Sequence, residues 1–192
     1  MKLLLTLSVL AMALQAEITL PNNFETEFKQ SITNDQGKVI KYDGNVIFNK
    51  ITESFSDNSG VENSYSRSLF KWDYTSPTKK EVCTDGVQLI VVDHDLEQVS
   101  NYMVNEGIDL ESILKVAQKI TNVDYKATYK ETEYIITLDN SEQLSKIVYV
   151  DNLDNGVKII FNNMNYNSTS FDVKKLECQA PKEYDIIEST IS

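Results

Sequence analysis

The chain is poor in the residues that most often carry chemistry. Of 192 residues, one is His, one is Trp and two are Cys, and Lys and Arg number 18 against 29 Asp and Glu. The one histidine, His94, sits between Asp93 and Asp95. In a strand both carboxylates face away from the imidazole, so no nucleophile, base and orienting acid are assembled, and His94 reads as an ordinary exposed residue. Acidic pairs such as Asp93 with Asp95, or Asp151 with Asp154, say little about glycoside chemistry in so acidic a chain. Two Cys and one His are too few for a metal site, and there is no glycine-rich phosphate loop. Asp151 to Gly156 lacks the alternating acids and terminal Glu of a calcium loop and reads as a hairpin turn. Neither catalysis nor a metal or cofactor is expected. A net charge of −11 also argues against nucleic acid or an anionic membrane surface as partner.

Long apolar runs are scarce too. Lys2, an apolar stretch from Leu3 to Leu14 and the small Ala16 make residues 1–16 an expected secretory signal peptide, since the run is well short of the ~20 residues that a membrane span needs. Cleavage is expected after Ala16, leaving 17–192 as one domain in an exported compartment. With no Cys near that point, N-terminal lipidation is not expected. Cys83 and Cys178 are an even pair in an oxidising environment, so a disulfide is expected, worth about 4 to 5 kcal/mol in the chain-entropy model. Two buried free thiols are the alternative. Asn167-Ser168-Thr169 has the form of a glycosylation sequon, which matters only in a host that glycosylates.

What the chain has in quantity is strand signal. Arg67 to Gln98 holds the only Trp, Arg and His. Phe70, Trp72 and Tyr74 fall two apart and share a strand face, with Leu69, Lys71 and Asp73 on the other. Pro77 ends that strand, and Asp85-Gly86 closes a hairpin between Val82–Thr84 and Leu89–Val92. Upstream, Ile40, Tyr42, Gly44, Val46 and Phe48 alternate as a strand. Phe24 and Phe28, four apart, suit either a helical turn or a strand, and the type stays open. The Ser- and Asn-rich stretch from Ile51 to Ser66 suggests a strand tip with a loop near Asp57 to Gly60. Asp109 as N-cap, followed by Leu110, Ile113, Leu114, Ala117 and Ile120, predicts an amphipathic helix. From Val123 the period returns to two, with strands expected over Val123–Tyr129, Tyr134–Leu138, Leu144–Val150, Val157–Met164 and Phe171–Cys178, the ladder ending at Pro181. The pattern predicts a mainly β fold: one long, curved, mostly antiparallel sheet with a helix across one face.

Taken in order, Phe24, Phe28 and Gln30, then Gly44, Phe70, Trp72 and Pro77, Asp85-Gly86, and Glu97-Gln98 resemble the LolA family of periplasmic lipoprotein carriers, and the likeness extends more weakly to the C-terminal segment from Phe171. The resemblance implies an unclosed β-barrel with a helical lid, whose concave surface binds the acyl chains of lipoproteins in transit from the inner to the outer membrane. It implies a cavity wall of Phe48, Phe70, Trp72, Leu89 and Val91, and a lid of Leu110, Ile113, Leu114 and Ala117. It implies as partners an inner-membrane ABC-type release complex and, where present, an outer-membrane acceptor, with the carrier monomeric. The family's amphipathic N-terminal helix is longer than the short stretch between Glu17 and Phe24 allows. The family's lid-latching Arg falls where Ser66 stands; Arg67, one position later, would face the opposite side of a strand. The alternative function is a related open-barrel module that binds another lipid or a glycolipid, or senses one.

Overall fold

The computed structural model describes residues 18–57, 59–103, 109–166 and 172–188. The expected leader and its cleavage site at Ala16, the sequon at Asn167, and Phe171 lie outside them. Long strands come first: β1 (Asn23–Thr33), β2 (Val39–Ser56) and β3 (Glu62–Ser76). β4 (Lys80–Thr84), β5 (Gln88–Asp93) and β6 (Gln98–Met103) continue the meander. A short helix, α1 (Leu110–Lys115), precedes β7 (Gln118–Lys119), β8 (Asp124–Tyr129), β9 (Thr132–Leu138), β10 (Leu144–Val150) and β11 (Gly156–Asn165). After a 3₁₀ turn at Val173–Lys175, β12 (Asp185–Glu188) ends the described chain.

Among the described residues twelve strands form one sheet in the order β12-β6-β5-β4-β3-β2-β1-β11-β10-β9-β8-β7, with β12 at one edge and β7 at the other. The sheet is therefore unclosed and mainly antiparallel, as expected; β12 is the parallel exception, running alongside β6. Its curvature follows from one fact. Leu89 on β5 and Ile147 on β10 line the same cavity although six strand steps separate them. In a flat sheet that separation would be about 29 Å at a spacing of about 4.8 Å per strand.

The alternation in β1 settles the type that Phe24 and Phe28 left open. Spacing of four satisfies both periods, and Thr26 between them hid the period of two because it is polar. Thr26 is nonetheless buried, its hydroxyl donating to the Asn162 carbonyl at 2.8 Å. Opposite Phe28 stands Gly44 on β2. With no side chain there, the Phe28 ring packs edge-on against both Trp72 and Tyr74, with centroids 5.1 and 5.0 Å away.

Three expectations are corrected. The helix stops at Lys115 rather than continuing to Ile120. Gln118 and Lys119 instead pair with Lys126 and Tyr125, the Ile120 and Thr121 amides donate to the Asp124 carbonyl, and Ile120 is exposed. Strand pairing thus satisfies backbone groups that one more helical turn would have used. The segment to Cys178 is no strand: the Asp172 carboxylate accepts from the Lys174 amide and starts a 3₁₀ turn, a local bond that competes with a ladder. The ladder also does not end at Pro181, because β12 follows, held by the Asp185 amide on the Glu97 carbonyl.

Candidate functional site

The inward faces of the strands converge on a cavity of about 170 Å³ lined by Gln30, Phe70, Trp72, Tyr74, Val82, Thr84, Leu89, Leu110, Ile113, Ile147 and Ile159. None of these side chains is charged. The strand period supplies the wall: Phe70, Trp72 and Tyr74 from β3, Val82 and Thr84 from β4, Ile147 and Ile159 from β10 and β11. The helix supplies the cover. Asp109 caps α1 by accepting from the Ser112 amide at 3.0 Å, which fixes the turn that points Leu110 and Ile113 into the cavity.

Of the wall and lid residues expected from the resemblance, Phe70, Trp72, Leu89, Leu110 and Ile113 line the cavity. Phe48 lies behind them, fully buried, its ring centroid 4.5 Å from that of Phe70. Leu114 and Ala117 are likewise buried in the surrounding core. Val91 is in phase with Leu89 and pairs with Val82, but does not line the space. Ile147 and Ile159 are not signalled by the period of two, because apolar alternation on a distant strand does not say which strands face each other across the bend; Val82 is cross-strand neighbour to Trp72.

The cavity is polar at one end. The Tyr74 hydroxyl donates to Gln30 Oε1 at 3.3 Å, and burial pushes the Tyr74 phenol up to about 12. Burial also raises the Tyr149 phenol, with the neighbouring Tyr134 adding to the effect. Both phenols stay protonated across the physiological range, and Tyr149 lies outside the cavity lining.

At the other end the cavity adjoins a more polar recess of about 550 Å³, which shares Phe70, Thr84 and Leu110 with it. Here α1 is tied to the sheet. Lys50 Nζ donates to Glu111 Oε1 at 2.5 Å, and the Ser68 hydroxyl donates to Glu111 Oε2. Burial raises the Glu111 pKa, but the bonds from Lys50 and Ser68 and the Lys50 charge outweigh burial and the nearby Asp109, so the carboxyl sits below its ordinary value. Arg67, out of phase with Ser66 and Ser68 on β3, also lines this recess. It donates to Glu53 at 2.7 Å and stands 3.6 Å from Asp85. Lys50 and Ser68 were legible in principle: Lys50 continues the inward series Val46, Phe48, and a cation in that phase needs an acidic partner.

On the outer face, Cys83 and Cys178 form the expected disulfide, with Cα atoms 5.7 Å apart. Beside it, Glu81 accepts from the Gln179 amide at 2.8 Å and from Lys71 at 3.0 Å. His94 departs from expectation. It is largely buried rather than exposed, sharing a 3.1 Å hydrogen bond with the Tyr184 hydroxyl and lying 3.5 Å from Glu81. It is a fastening for the C-terminal segment, on the face away from the cavity.

The family model for the outer membrane lipoprotein carrier protein LolA matches residues 67–174. An outer-membrane lipoprotein carrier protein of Campylobacter jejuni is 32% identical over 86% of this chain and 86% of its own length. Those of Wolinella succinogenes and Helicobacter hepaticus are 29% and 27% identical, covering 76% and 86% of this chain and 75% and 83% of their own. Among solved structures, a LolA superfamily protein from Nitrosomonas europaea aligns over 84% of this chain and 93% of its own, at 10% identity and a TM-score of 0.46. By the span of the family match and the Campylobacter relative, the chain belongs to the LolA family of outer membrane lipoprotein carrier proteins.

Proposed function

We propose that this protein carries lipoproteins through the periplasm, from the inner to the outer membrane, with their acyl chains held in the cavity beneath α1. The observation that carries the reading is the uncharged lining closed by a hydrogen-bonded lid. Each buried methylene is worth roughly 0.8 kcal/mol, so a chain of about fifteen resists transfer to water by about 12 kcal/mol. A carrier must offer comparable shelter, and no covalent step is needed. The relatives' names supply the client class. An inner-membrane ABC-type complex would hand the client over and an outer-membrane acceptor would receive it, the acidic surface of the carrier complementing basic patches on them.

The observed cavity, about 170 Å³, falls below the roughly 300–1,000 Å³ of sites that hold drug-sized ligands. It is the closed state, and α1 must move outward to admit a chain. Movement breaks the Glu111 latch and exposes Leu110, Ile113 and Leu114, all buried in the closed state. Since the folded-state pKa of Glu111 is lowered from 4.5, the latch contributes fully above about 4.5 and is lost as pH falls through the lowered value. Acidification through that window is expected to change Trp72 fluorescence before global unfolding. Glu111→Ala should remove that early component; an identical acid profile in the variant would contradict the latch.

The reading is tested by titrating the protein with a synthetic tripalmitoylated lipopeptide and following the fluorescence of Trp72, the only Trp and a wall residue. A saturable change is expected for the wild type. Leu89→Glu, at a half-buried wall position, should abolish it while leaving the circular dichroism unchanged. Binding that ignores Leu89→Glu, or no saturable binding at all, would overturn the reading.

A further inference from the structure

The latch residues sit at a chemical boundary in the wall. Along the β2–β3 pair the inward-facing cross-strand rungs run Val46–Trp72, Phe48–Phe70, Lys50–Ser68 and Thr52–Ser66. Successive rungs on one face are about 6.8 Å apart. Within one rung the wall therefore changes from two aromatic rings to an ammonium and a hydroxyl, and in the next to a pair of hydroxyls bonded at 2.9 Å. In the closed state the ammonium and hydroxyl are both occupied by one carboxylate, that of Glu111. Glu111 belongs to α1, so opening the lid removes the acceptor and leaves two donors at the cavity rim, next to Phe70 and facing the polar recess.

Resting on the carrier reading above, we propose that Lys50 and Ser68 form the subsite for the polar head of the acyl ligand, and that the ligand's ester carbonyl oxygens replace Glu111 there. An acyl chain that enters the apolar part of the wall places its first carbonyl where methylene gives way to ester, and the protein's own boundary lies at the same level. The exchange is balanced in kind: one acceptor leaves the two donors as another arrives, so neither the ammonium nor the hydroxyl is left without a partner at the edge of an apolar surface. It also couples occupancy to the lid, because a bound head group competes with Glu111 for the same donors and holds α1 open. Lys50 is thus both half of the closed latch and a ligand contact, and Glu111 is latch alone.

That asymmetry gives opposite signs in one experiment. Two lipopeptide probes are compared by Trp72 fluorescence: one carrying a dipalmitoylglyceryl group with ester linkages, the other its dialkyl ether analogue, which lacks the carbonyls. Glu111→Ala removes only the latch and is expected to tighten both probes, by about threefold to tenfold. Lys50→Met removes latch and head contact together. It should tighten the ether probe as Glu111→Ala does, yet leave the ester probe no tighter than wild type or weaken it. Lys50→Arg should keep the ester preference, and Ser68→Ala, a smaller change should Lys50→Met fold poorly, should reduce that preference in part. If Lys50→Met and Glu111→Ala tighten the two probes equally, Lys50 is only a latch and the subsite is wrong while the carrier reading stands. If the wild type binds neither probe, both fail.

Discussion

Gly44→Ala is expected to cost about 3 kcal/mol or more and to leave little folded protein, at the upper end of what overpacking does in a filled core. A Cβ at Gly44 would lie 2.2 Å from the Asp73 carbonyl oxygen and 2.7 Å from the Phe28 ring. The first obstacle is backbone of the paired strand β3 and cannot rotate away. The second is a ring wedged between Trp72 and Tyr74, so its displacement would spread into the cavity wall. The check is urea unfolding against wild type. A midpoint within about 0.5 kcal/mol of wild type, the range of an ordinary surface change, would show that the β2–β3 spacing adjusts and that the close Phe28 packing is dispensable.

The second large effect is expected from the Cys83→Ala, Cys178→Ala double variant. The bridge spans 95 residues, and a loop of that length gives about 4 to 5 kcal/mol in the chain-entropy model. The loss should be local in structure before it is global. The C-terminal segment would remain tied by Glu81 to the Gln179 amide, by His94 to Tyr184 and by the β12 pairing. Amide exchange in β12 and β6 should rise most. Acyl-ligand binding at low temperature should persist, because Cys83 and Glu81 alternate with Val82 and so lie on the face of β4 away from the cavity. Stability unchanged within about 1 kcal/mol would mean that the polar fastenings alone hold the segment.

Most of the architecture was legible because its signal is local. Alternation located β2, β3, β5 and β8 to β11, and Asp-Gly and Asp-Asn turns separated them. The Asp109 cap was readable for the same reason. What failed was non-local. The i, i+3, i+4 series from Leu110 to Ile120 satisfies a helix on paper, but Gln118 and Lys119 have a strand partner in β8 that a linear reading does not see. β12 is four residues long, follows a proline, and exists because β6 offers it an edge. His94 looked exposed because nothing near it in sequence announces Tyr184, ninety residues away in the chain. The site divides in the same way. Phe70, Trp72 and Leu89 were readable from period and family likeness, whereas Ile147 and Ile159 join the wall only through the bend of the sheet. Arg67 is bonded to Glu53 and Asp85 and makes no bond to Glu111, a pairing that its strand phase does not reveal. Of the groups that tie α1 to the sheet, Lys50 is signalled by its inward phase, whereas Ser68 is unremarkable until Glu111 is set beside it.

If the space beneath α1 shelters lipoprotein acyl chains, the cargo should leave the cell with the protein. The experiment is to release the protein from the periplasm of cells that make it and to identify what is bound by native mass spectrometry. Protein carrying triacylated lipoproteins is expected, with loss of that cargo in Leu89→Glu. Recovery of a glycolipid in their place, or of protein without any hydrophobic cargo, would show that the space serves another ligand or none.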